Sequence, residues 1–120
     1  LRNPGQGSTA VGWIAPLNTG LWGILLGYAF LRSGDLWLPI GLHFGWNWFL
    51  PLVGANLSGF TMVVTGLGFQ SRSGDLWTGG AYGPEGGLIT TMVVVALGYA
   101  LHRAPVERQT PALVRSAETW

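Results

Sequence analysis

The sequence has no cysteine and little charge, and both shortages narrow what it can be. Without thiols there is no disulfide, no thiolate nucleophile and no Cys-ligated zinc, so any metal would need His, Asp, Glu or Asn ligands. Charged residues make up 9% of the chain against 48% apolar, too little charge to solvate the surface of a soluble domain. Membrane is the better class. No charged side chain occurs between Arg2 and Arg32 or between Asp35 and Arg72. Each gap exceeds the roughly 20 residues that a spanning helix needs. The net charge of +1 comes from scattered arginines rather than a basic stripe, which argues against a nucleic-acid partner. The start, Leu1-Arg2-Asn3-Pro4-Gly5, lacks the basic region and apolar core of a signal peptide, and the chain reads as entered midway.

What is present is organised around one run, Leu36–Phe49, LWLPIGLHFGWNWF. His43 and Asn47 are its polar pair. At positions i and i+4 of a helix they share one face, about 6 Å apart along the axis, and could serve one ligand. Among Leu, Ile, Phe and Trp an unpartnered polar group costs several kcal/mol, roughly 2–7 by transfer measurements. An imidazole inside a membrane is a functional hypothesis by default.

In chain order, Asn3-Pro4-Gly5 and Gly7 favour a surface loop over Leu1–Ser8. A first helix is predicted from Thr9 to Leu31, with Pro16 as a kink near its start and Gly20, Gly23 and Gly27 as a ridge for close helix approach. Arg32-Ser33-Gly34-Asp35 forms a tight turn in which Ser33 or Asp35 can cap the next helix. In that second helix Pro39 occupies the first turn, Gly41 and Gly45 supply another close-approach pair, and Trp37 suits an interfacial anchor. Pro51 and Gly54 mark its end. Leu57–Phe69 is apolar but short, and reads as a re-entrant or interfacial segment rather than a span. RSGDLW occurs at Arg32–Trp37 and again at Arg72–Trp77 with unmatched flanks, which reads as recurrent turn chemistry rather than a duplicated domain. Thr78–Gly87 is a glycine-rich loop, and Glu85 is expected to complement the N-terminal dipole of a third helix, Gly86–Leu101, without taking part in chemistry. His102 reads as an interfacial histidine. The expected fold is all-α, a polytopic membrane bundle of about three spanning helices plus the re-entrant segment over 1–101. Residues 102–120 are a polar tail, mobile and, by the excess of arginines on its side, cytoplasmic.

Spacing alone leaves the His43–Asn47 pair between an interhelical hydrogen-bond node and a catalytic site. The surrounding residues add a resemblance. SGDLWLPIGLHFGWNW, with TGGAYGPEGG at Thr78–Gly87 and the NPG at Asn3–Gly5, resembles the CPBP intramembrane proteases, which include the CAAX prenyl endopeptidases and bacteriocin-immunity relatives. The likeness covers most of Asn3–Leu101. It implies an integral protein of the cell membrane that hydrolyses a peptide or prenylated protein substrate. It further implies His43 as a metal ligand, for a divalent ion such as zinc, or as a hydrogen-bond donor, with Asn47 orienting it or donating to the oxyanion. The family's Glu-Glu and FxxxH motifs are not in this sequence, so the chain is expected to supply only the HxxxN half of an active site, beside the remaining helices of a parent chain. Two other classes fit the same helices: a non-catalytic immunity-type binding protein, and a transporter or channel fragment in which His43 lines a pathway.

Overall fold

The structure is a computed structural model and describes residues 9–68 and 74–108. Four helices account for most of it: α1 (Thr9–Ser33), α2 (Trp37–Leu52), a single turn α3 (Asp75–Thr78) and α4 (Leu88–Arg103). Two 3-10 turns, Gly80–Tyr82 and Pro84–Gly86, lie between α3 and α4. Among the described residues there is no strand, only an isolated bridge between Leu57 and Phe60. The all-α expectation holds, and the three long helices are the three that the apolar runs predict. The third begins two residues later than expected. Pro84–Gly86 closes into a 3-10 turn and Gly87 is extended, so the helix starts at Leu88.

α1 is the central element, with α2 and α4 packed on it. Its connection to α2 is as short as Arg32-Ser33-Gly34-Asp35 suggests. Gly34 takes a φ of 73°, and the Asp35 carboxylate accepts the Trp37 N–H at 2.9 Å, one of the amides left free at the start of α2. α2 therefore runs back along α1. α4 runs the same way as α1, since Asn18 meets Thr91 near one end of the pair and Arg32 meets Ala104 near the other. The Arg32 turn and the end of α4 thus share one end of the bundle, as three consecutive spans require.

Gly12–Ser33 is long and apolar enough to cross a membrane, about 33 Å of helix, yet only 22% of its apolar window is covered by the rest of the chain. Trp13, Ile24, Phe44, Met92 and Tyr99 all point outward. The enclosed cluster is small: Leu25 and Ala29 of α1 against Val94 and Leu101 of α4.

One expectation changes. A Cβ built at Gly20, Gly23, Gly27, Gly41 or Gly45 would meet nothing within 4 Å, so these glycines are not the close-approach seams within the described chain. The seams are made by Ala29 and by Gly98, which faces Leu25. The run from Leu57 is not helical: residues 53–68 form an irregular connection, with Leu57–Phe60 closed into a tight turn. The Leu1–Ser8 loop, Arg72 of the second RSGDLW copy and residues 109–120 of the tail lie outside the described residues, while His102 and Arg103 belong to the last turn of α4.

Candidate functional site

His43 and Asn47 sit one turn apart on α2 and line the same open cleft, of about 210 Å³, between α1, α2 and the loops that follow. Neither side chain forms a hydrogen bond with another described residue, so the imidazole and the carboxamide keep their bonding capacity for something that enters. The pair shares a face on one cleft as expected, but the cleft is open and the His43 side chain is exposed rather than enclosed by described residues. α2 delivers the pair because Pro39 starts the helix without spending an N–H and Asp35 caps it, leaving a regular turn at 43–47.

Glu85 is where sequence reasoning and structure part. It lies in the 3-10 turn before α4, not in the first turn of that helix, and its carboxylate turns into the same cleft as His43. Oε1 accepts the Trp46 Nε1–H at 3.1 Å; Oε2 accepts both the Ser58 N–H at 2.9 Å and the Ser58 hydroxyl at 2.6 Å. The dipole-capping expectation for Glu85 is therefore corrected. An acid followed by two glycines cannot be committed to a helix start by sequence alone, and here the glycines carry the chain away from helical dihedrals.

Asn18 was missed. It is 1% exposed, its Nδ2 donates to Glu85 O at 2.8 Å and to Gly87 O at 3.0 Å, and its Oδ1 accepts the Thr91 hydroxyl at 2.6 Å. One amide thereby takes two carbonyls of the segment that leads into α4, and fixes the Glu85 segment to α1. The signal was available: an amide inside a charge-free apolar run invites the same question as His43. Trp46 and Ser58 were also missed as site residues. The rings of Trp22 and Trp46 pack 5.3 Å apart at 45° in the cleft wall, and Trp22 Nε1 is buried without a partner. Behind Trp46 lies a second, wholly apolar cavity of about 330 Å³, lined by Phe49, Leu50, Val93 and others.

A catalytic zinc takes three protein ligands, typically His or carboxylate. Among the described residues no three His, Cys, Asp or Glu come together, so His43 and its neighbours do not by themselves fit such a metal.

Residues 4–49 match the family described as Type II CAAX prenyl endopeptidase Rce1-like. That part of the chain is similar to the family. It takes in α1 and α2 through Phe49, including Asn18, His43, Trp46 and Asn47, and agrees with the CPBP resemblance of the HxxxN segment. Glu85 and Ser58 lie beyond it. No curated protein and no solved structure matches the chain.

Proposed function

We propose that these residues form part of an intramembrane peptidase of the CAAX endopeptidase kind and contribute its HxxxN half. The observation that carries the reading is the pair His43 and Asn47, without a hydrogen bond among the described residues and lining one cleft, within the segment that matches the Rce1-like family. Hydrolysis adds water to a peptide carbonyl and releases an amine, which calls for a base, donors to the oxyanion and an acid for the leaving group. His43 serves as donor to the intermediate or to the leaving amine. Asn47, one turn away, donates its amide to the oxyanion or holds the imidazole. The water-activating carboxylate is supplied by helices of the parent protein, as the family's Glu-Glu motif implies. The protein is integral to the cell membrane, with the end of α4 on the cytoplasmic side, and its substrate is a peptide or prenylated protein.

The test is cleavage of a prenylated CAAX peptide by the full-length protein in liposomes, beside its His43→Ala variant. Turnover that disappears with His43 supports the reading. A folded His43→Ala protein with full turnover returns the pair to a packing role, and a folded wild type that cleaves nothing but binds a membrane partner favours the immunity-type alternative.

A further inference from the structure

Glu85 gathers three donors from two distant segments, the second of which is also held to the loop before α4 by Asn56 Nδ2 donating to Ala81 O at 2.9 Å. Trp46 comes from α2, where its ring forms a wall of the His43 cleft and separates it from the apolar cavity behind. Ser58 comes from the connection after α2. It is the first of two central residues in the Leu57–Phe60 turn, with φ of 48° at Ser58 and 82° at Gly59. Positive φ at both central positions is the pattern of a type I′ turn. A serine pays for left-handed backbone that glycine adopts freely, at a cost on the order of 1 kcal/mol or more. Such a residue persists where its surroundings over-determine it. Here the turn is closed by Leu57 N–H to Phe60 O at 2.9 Å and Phe60 N–H to Leu57 O at 2.8 Å, and the Gly59 N–H is taken by Tyr82 O at 2.7 Å. Glu85 then takes both the N–H and the hydroxyl of Ser58.

An ionised carboxylate offers about four acceptor positions and no donor. Three are filled here, both on Oε2 and one on Oε1. A group so occupied is poorly placed to take a proton from water and well placed to hold three donors together. Glu85 is itself held from behind, through its backbone carbonyl, by the buried Asn18.

We propose that Glu85 is a positioning residue for the His43–Asn47 cleft: its carboxylate ties the Ser58 turn to the Trp46 indole and so sets the width of the cleft mouth through which substrate reaches His43. The assignment rests on the peptidase reading for its catalytic consequence, but the tie itself is independent of turnover.

The experiment therefore has two arms, both on the full-length protein in detergent or liposomes. In the first, amide hydrogen exchange over Leu57–Phe60 is compared in wild type, Glu85→Ala and Glu85→Gln. Removing hydrogen bonds to a charged acceptor at a partly exposed site should speed exchange of the turn about tenfold in Glu85→Ala. Glu85→Gln should restore most of the protection, since its carbonyl still accepts from Ser58, while its NH₂ faces the Trp46 N–H and moves the indole proton resonance. In the second arm, Glu85→Ala should raise KM about tenfold with a smaller fall in kcat, and Glu85→Gln should recover KM to within about threefold, following the bonds that each side chain keeps. Unchanged exchange in a folded Glu85→Ala protein overturns the tie. If Glu85→Ala does not fold, Trp46→Phe decides: it removes the indole donor to Glu85 while keeping a ring in the wall, and unaltered exchange over Leu57–Phe60 together with an unaltered KM would overturn the tie as well. A kcat loss above a hundredfold in Glu85→Gln with normal exchange would make Glu85 a reacting group instead of a positioning one. A wild type with no turnover removes the peptidase reading, while the exchange arm still decides the tie.

Discussion

The two ends of α1 use polar side chains in opposite ways. At the Ser33 end, Arg32 Nη2 donates to Ala104 O at 2.6 Å and to Leu101 O at 3.4 Å, closing the carbonyl end of α4 with a cation. Beside it the Tyr28 hydroxyl and His102 Nδ1 lie 3.0 Å apart, over the cluster of Leu25, Ala29, Val94 and Leu101. Those groups join α1 to α4, although Arg32 Nε is buried without a partner among the described residues. At the other end Asn18 and Glu85 are equally bonded, yet they share a cleft with the exposed His43 and with Asn47, neither of which has a hydrogen bond among the described residues. The bonded groups form a frame, and His43 and Asn47 stand at its open cleft. The contrast separates a structural histidine, His102, from a candidate functional one, His43, although both are histidines of apolar helices.

The sharpest way to break the comparison is to remove a group from each class. His43→Ala should lower turnover of the full-length protein by about a hundredfold or more, the scale of a lost acid–base or donor group, with its thermal midpoint nearly unchanged. A large fall in the midpoint would move His43 into the frame. Asn18→Ala, by contrast, removes the donor to the Glu85 and Gly87 carbonyls and the acceptor of the Thr91 hydroxyl at a partly buried node, and should cost about 1–3 kcal/mol in thermal or denaturant unfolding. If Asn18→Ala is as stable as wild type, the Asn18 node holds nothing. Asn47→Ala should reduce turnover by about tenfold, less than His43→Ala, because loosening an orienting amide removes less than losing a donor. Equal losses would make the two one inseparable unit. The smallest effect belongs to the Arg32 end: Arg32→Gln should cost about 0.3–1 kcal/mol and leave KM and kcat where they were. A kinetic change in that variant would show that the ends communicate.

Much of this frame is legible in the sequence, and the rest is hidden for identifiable reasons. The charge-free gaps mark α1 and α2, and Asp35 reads as the cap that it is, because helices and their starts depend on neighbours in sequence. The face shared by His43 and Asn47 follows from four-residue spacing. Glu85 and Ser58 could not be read together, since a contact across 27 residues through two turns depends on the path of the connection. The second RSGDLW copy makes the same point. Asp35 precedes its helix and caps it, whereas Asp75 is the first residue of one, so identical hexapeptide residues end in different roles. The glycines of α1 and α2 misled for another reason: small-residue spacing says where a helix could be approached, not whether this chain approaches it.

Gly83 has a practical bearing on how the cleft can be altered. A Cβ at that position would overlap the backbone carbonyl of Asn56, and its φ of 100° suits glycine alone. The connection after α2 and the loop before α4 therefore meet as bare main chain, in one register. Whoever redesigns the mouth of the cleft can exchange Glu85 or Ser58, but shortening or sliding either strip of chain would bring a side chain to the point where only hydrogen fits. Diversity in this part of the molecule is open to single substitutions and closed to insertions.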